Sequence, residues 1–280
     1  MRYSQQGIAR DGMPFGKLFA AGAAALGLVV SMAASTFAAG TVTVTTSNMQ
    51  GWTSNEGGGG SSAIVEDATA PGGSALQLKT DDTNTAYTEY YHDVNVPLSQ
   101  VGDLSYMTNT LAGPSHASAS YAVGLDTDSV AGTDVYYVYE PYWQVNFGGQ
   151  PVTQNTWQTW DVKSGMFWAT GSGTTEPSLS WADILAANPN ATVSEVAVYQ
   201  GSYNPNYTVN VDNVVVNGTT YDFQVASANE PVVATSKDQC KANGWKNVVT
   251  RDGKTFKNQG QCVAYVQSSA NSKHHRSTVE

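Results

Sequence analysis

The 280-residue chain reads as all-β: an antiparallel β-sandwich or jelly roll with one short helix, followed by a small disulfide-clipped C-terminal segment. Three observations predict this. Apolar and polar residues alternate with period two in many short runs between residues 40 and 228, glycine-, proline- and asparagine-rich turn signals separate those runs, and only one segment carries a helical period. A body of this length can enclose one well-buried core.

Taken in order, residues 1–39 read as an export signal. Arg2, Arg10 and Lys17 precede the apolar run from Phe19 to Val30, and small residues around Ala38 offer a cleavage site. An uncleaved amino-terminal anchor is the alternative. Strands are then expected at Thr41–Thr46, Ala75–Lys79, Ala86–Tyr90, Ser118–Gly124, from Val135 onward, and at Trp157–Trp160, Val193–Tyr199 and Thr208–Val216. Turns fall at Gly57 to Gly60, Pro71-Gly-Gly73, Gly132, Gly148-Gly149, Asn204-Pro205 and Asn217-Gly218. The helix is Ser180–Ala187: Ser180 caps it, Asp183 lies in its first turn, Pro189 stops it, and Trp181, Ile184 and Leu185 share a core-facing side. In the closing strand, strict alternation sends Val209, Val211 and Val215 to one face and Asn210, Asp212 and Val214 to the other.

Charge and cysteines mark a second unit. Residues 40–235 carry 19 acidic and two basic side chains, a net of −17, whereas residues 236–280 carry eight basic and three acidic, a net of +5. The expected divisions are a signal peptide at 1–39, a β-sandwich at 40–228, a linker at 229–235, a two-cysteine basic module at 236–268 and a disordered tail at 269–280. Cys240 and Cys262 form an even pair in an exported chain, which favours a disulfide over free thiols or a zinc site. The acidic body disfavours nucleic acid as a partner, and nothing after the signal resembles a membrane span.

Ten aromatic residues fall between Asp134 and Trp168. Alternation places Tyr137 and Tyr139 on one face of their strand and Tyr136 and Glu140 on the other, so rings remain after one face has filled a core. Rings stack on the apolar C–H patches of sugars while carboxylates and amides bond the hydroxyls. The expected ligand-binding residues are therefore Tyr136, Tyr142, Trp143 and Trp168, read as exposed, with Glu140 and Asp161 as polar partners. In Trp157-Gln-Thr-Trp160 the spacing assigns one ring to the core and one to the surface or a loop.

Oxygen donors at Glu66, Asp67, Asp212 and Asp222 are candidate ligands for a structural Ca2+, set against the plainer reading of an exposed acidic face. Asp126, Asp128 and Asp134 form a weaker oxygen-rich loop that lacks the glycine and terminal glutamate of an EF-hand. Catalysis has little foothold. Only Glu140 and Asp161 form a carboxylate pair among aromatic residues, the body's histidines are His92 and His116, and no Gly-x-Ser-x-Gly or His-Glu-x-x-His motif occurs.

The landmarks Pro71-Gly-Gly-Ser-Ala-Leu-Gln-Leu78, Leu104-Ser-Tyr106, Tyr139-Glu-Pro-Tyr142, Thr156-Trp-Gln-Thr-Trp-Asp161, Phe167-Trp168, Ala182-Asp-Ile-Leu-Ala186 and Asn210-Val-Asp-Asn213 with Thr220-Tyr-Asp-Phe223 carry a resemblance. From about Trp52 to Gln224 the chain resembles an uncharacterised domain of secreted bacterial proteins, similar in layout to the jelly rolls of carbohydrate-binding modules. Ser236-Lys-Asp-Gln-Cys240, Gly244-Trp-Lys246 and Phe256-Lys-Asn-Gln-Gly-Gln-Cys262 resemble a short two-cysteine module that ends such proteins. The expectation is a secreted or cell-envelope-associated, non-catalytic module for a glycan or cell-wall polymer. A structural or adhesive surface protein is the runner-up, and a glycoside-active enzyme stands behind both.

Overall fold

Period-two segments pair into two seven-stranded sheets. The computed structural model describes residues 40–128, 130, 132–226, 232–250 and 253–274; the expected export signal and residues 275–280 of the expected tail lie outside them.

The first sheet joins β1 (Gly40–Val44), β3 (Ser61–Glu66), β4 (Ser74–Lys79), β6 (Leu104–Ala112), β9 (Gln158–Asp161), β13 (Thr208–Val216) and β14 (Thr219–Phe223). The second runs β11 (Leu179–Ser180), β10 (Met166–Ala169), β8 (Val135–Tyr139), β7 (Ser120–Asp126), β12 (Thr192–Gln200), β5 (Tyr87–Pro97) and β2 (Trp52–Gly57). All pairings within the two sheets are antiparallel except that of β1 with β14. The glycine-rich turn after β2 carries the chain from one sheet to the other, with Gly58 and Gly59 at positive φ.

Side chains from both inner faces fill one core, in which Tyr106, Tyr121, Trp160, Phe167, Tyr207 and Phe223 are enclosed. Their polar atoms are satisfied inside it: Tyr106 Oη donates to the Ala119 carbonyl at 2.6 Å and Trp160 Nε1 to Thr108 Oγ1 at 2.7 Å. Trp160 is the core ring of its pair, and Trp157 lies half-buried at the surface.

β13 organises the first sheet. One flank pairs with β6, while the other pairs with β4 over Thr208–Val211 and with β14 over Val214–Val216. The strand is bulged between Asp212 and Val215, where Asn213 adopts φ 46°. This corrects strict alternation: Val209, Val211, Val214 and Val216 enter the core, and Val215 does not. An extra residue in the strand shifts every later side chain to the opposite face.

The short helix α1 (Pro141–Gln144) was not anticipated from sequence. The anticipated one is α2 (Trp181–Ala187), closed by a capping box in which Asp183 N–H donates to Ser180 Oγ at 3.2 Å and Ser180 N–H to Asp183 Oδ2 at 2.9 Å. Its Trp181 and Ile184 join the core.

Val232 and Val233, within the expected linker, form β15 (Val232–Val233) beside β16 (Val248–Val249). With α3 (Lys237–Cys240) and α4 (Gln259–His274) they surround a second small core containing Ala234, Val248, Phe256 and Val266. Cys240 and Cys262 are bridged across it; α4 continues into the segment expected to be tail. Val233 N–H also donates to the Ser47 carbonyl at 3.1 Å, tying this unit to the body.

The bridge closes a loop with a sequence separation of 22, for which chain entropy gives roughly 3 kcal/mol of stabilisation. A Cys240→Ser/Cys262→Ser double variant is expected to expose residues 236–274 to limited proteolysis while the far-UV circular dichroism of the body is retained.

Candidate functional site

The outer face of the second sheet carries a further hydrophobic layer. Ala122, Tyr136, Val138, Trp168, Ala197 and Tyr199 pack together there, with Tyr91 at the margin. The register explains the arrangement: Trp168, Val138, Ala122, Ala197 and Tyr91 are opposed in that order across five strands. Small residues in the middle of the row stand between taller rings at its ends.

Glu140 follows β8 on this face. The residue is 4 % exposed, and burial pushes its pKa up to about 7, offset in part by hydrogen bonding from the indoles of Trp168 and Trp143. The Trp168 and Trp143 indoles face this carboxyl, yet neither Glu140 Oε1 nor Trp168 Nε1 is in a hydrogen bond of regular geometry. Two other carboxylates on the face are engaged: Tyr136 Oη donates to Glu195, and Asn55 Nδ2 donates to Glu89 Oε2 at 3.1 Å. Tyr199, opposed to Glu89, is raised above its ordinary range by burial first and then by Glu140.

Pro141 turns the chain immediately after Glu140 and starts α1, whose Gln144 locks the helix to the sheet. Gln144 Nε2 donates to the Glu140 and Met166 carbonyls, each at 3.0 Å, and its Oε1 accepts from Met166 N–H at 2.9 Å. This presents a ring series at the surface: His116 to Tyr142 at 4.8 Å between centroids and Tyr142 to Trp143 at 5.0 Å. Tyr142 is 39 % exposed and Trp143 half-buried.

The expectation of four exposed rings is corrected for two of them, since Tyr136 is 8 % and Trp168 7 % exposed. Alternation identified their face, but it carries no information on whether that face is covered by a second layer. Asp161 is separate: it lies exposed on β9 of the other sheet, accepting from Ser164 N–H at 3.3 Å. Glu140 and Asp161 are thus positioned by different sheets.

Among the candidate calcium ligands, Asp212 is enclosed at the β13 bulge. Its Oδ1 accepts from Phe223 N–H at 2.9 Å, Oδ2 has no partner, and burial raises its pKa to about 7, with a smaller push from Asp222. Gln224 Nε2 donates to Asp222. Burial would raise Asp67, but hydrogen bonds from Thr69, Asn210 and Ala70 outweigh it and hold the carboxyl low; Glu66 is exposed. Among the described residues, no three of these four bring ligand atoms within 4.8 Å of one another, whereas Asp126, Asp128 and Asp134 do.

No family description matches the chain, and no curated protein matches it. Solved structures do. A family 11 carbohydrate-binding module from Clostridium thermocellum, in complex with a β-1,3-1,4-mixed-linked tetrasaccharide, is 12 % identical with a TM-score of 0.39 over 60 % of this chain and 89 % of that one. The CBM22-1 xylan-binding domain of Paenibacillus barcinonensis Xyn10C is 13 % identical with a TM-score of 0.32 over 61 % and 88 %. TmCBM61, in complex with β-1,4-galactotriose, is 12 % identical with a TM-score of 0.28 over 59 % and 86 %. No helix among the described residues is long and apolar enough to cross a membrane.

Asp212 carries a pH prediction. Its folded pKa of about 7 stands above the ordinary carboxylate value, so its contribution is full below about pH 4 and is lost as pH rises through about 7. With a chelator present to remove divalent cations, Asp212→Asn is expected to flatten the fall in stability between pH 4 and 7, where one such group contributes up to about 1.4 kcal/mol per pH unit. Urea melts across that range measure it.

Proposed function

We propose that the chain is a secreted or envelope-associated, non-catalytic carbohydrate-binding module whose ligand lies over Glu140 and the rings of Tyr142 and Trp143. One observation carries this reading: an enclosed carboxyl group faced by the Trp168 and Trp143 indoles, with neither Oε1 nor Trp168 Nε1 in a regular hydrogen bond, sits at the foot of an exposed aromatic series. A sugar hydroxyl that donates to Glu140 Oε1 and accepts from Trp168 Nε1 satisfies both groups at once, while Tyr142 stacks on the apolar face of the ring. The disulfide between Cys240 and Cys262 and the export-signal pattern at 1–39 support an extracytoplasmic setting. Separation of Glu140 from Asp161 on different sheets favours binding over hydrolysis.

Isothermal titration against neutral plant and wall polysaccharides is expected to find a saturable ligand. Tyr142→Ala should weaken binding about tenfold, consistent with loss of one stacking contact. Because a donated hydroxyl favours the ionised acid, affinity should rise with pH through about 7. Glu140→Gln should remove that pH dependence and weaken binding, yet raise the melting temperature at pH 8, where the wild-type group is buried and charged. Equal affinity in Tyr142→Ala, Trp143→Ala and Glu140→Gln would count against the site; attachment or self-association without saturable sugar binding would favour the structural or adhesive role.

A further inference from the structure

The outer face of the first sheet carries a second arrangement, independent of Glu140 and its rings. Gln77 on β4, Asn210 on β13 and Asn109 on β6 are directly opposed across three adjacent strands. Their sequence neighbours Leu76, Leu78, Val209, Val211, Thr108 and Thr110 are buried beneath, so the three amides share the outer face. Asparagine is disfavoured in strand interiors, and two of them side by side with a glutamine cost strand propensity without adding to the core.

The row forms the floor of an open groove of about 470 Å³, walled by the Val65–Thr69 segment on one side and by Leu111 and Asn155 on the other. Part of the row is internally bonded: Gln77 Nε2 donates to Asn210 Oδ1 at 3.0 Å and Asn210 Nδ2 to Asp67 Oδ2 at 2.8 Å. At one wall Trp157 Nε1 donates to Thr69 Oγ1 at 3.2 Å, and Thr69 Oγ1 in turn to Asp67 Oδ1 at 2.6 Å, which holds the wall residues Thr69 and Asp67 in place. Asn109 is the exception. It lines the groove at 4 % exposure and its Oδ1 has no hydrogen-bond partner, a state that costs free energy unless something fills it.

We propose that this groove is a second ligand site, taking a neutral saccharide segment. Amides offer both donors and acceptors to hydroxyls, and the groove's size lies within the range of small-molecule sites. Leu111, 37 % exposed, supplies apolar contact for C–H faces. Glu66 and Asp67 at the wall repel anionic ligands.

The test is isothermal titration of the purified protein with cellotetraose, xylotetraose and mannotetraose. At least one probe is expected to occupy two sites. Asn109→Ala and Leu111→Arg should each remove one of them or weaken it at least tenfold, leaving unchanged the site that Tyr142→Ala weakens. Leu111→Arg alters only the exposed rim, so it keeps the test intact if Asn109→Ala fails to fold. Wild-type stoichiometry and affinity in both variants, or loss of all binding in Tyr142→Ala alone, would overturn the groove site while leaving the Glu140 site standing. Loss confined to the groove variants would uphold it even if the Glu140 reading failed. Stabilisation by Ca2+ alone, abolished in Asn109→Ala, would overturn the saccharide assignment in favour of a cation.

Discussion

A carboxylate removed from water must be paired or must surrender its charge, and Glu140 is held midway between these outcomes. Enclosure lifts its pKa to about 7, two indoles offset only part of that rise, and neither closes a regular hydrogen bond on Oε1. The surrounding layer makes this state possible. Tyr136, Trp168 and Tyr199 exclude solvent from the outer sheet face, and the neighbouring carboxylates Glu195 and Glu89 are satisfied by Tyr136 and Asn55. Unused hydrogen-bonding capacity is thereby concentrated at Glu140 and Trp168, next to rings that remain accessible. A stability cost carried at one point of an otherwise satisfied face is what a binding site demands of its scaffold.

Much of the architecture was legible in the sequence because it follows from local rules. Alternation located Thr208–Val216 and a strand from Val135 onward, and Ser180 was legible as the cap of α2 with Asp183 in its first turn. What escaped was non-local. β3, β6 and β14 carry few distinctive patterns; β6 is held by β13 and β9 and β14 by β1, all remote in sequence, while β3 pairs with the next strand, β4. The bulge at Asn213 reversed the facing of Val214 and Val215, since one residue at positive φ resets the period.

The candidate site was legible only in part, for the same reason. Sequence could place Tyr136 and Glu140 together on a face, and could place Tyr142 and Trp143 next to them in the chain. It could not show that Tyr136 and Trp168 bury each other's face in one cluster, or that Asp161 belongs to the opposite sheet. The amide row was invisible for a further reason: Gln77, Asn109 and Asn210 are far apart in sequence, and only the pairing of β4, β13 and β6 aligns them. Asn210 on the polar face of the closing strand was the single available hint.

The state of Glu140 is the claim from which the rest follows, and carbon-13 NMR titration of its carboxyl carbon reads that state directly. The account predicts a midpoint near 7 in the free protein, falling when a saturating oligosaccharide donates a hydroxyl to Oε1. A midpoint in the ordinary glutamate range, unchanged by any saccharide, would contradict it.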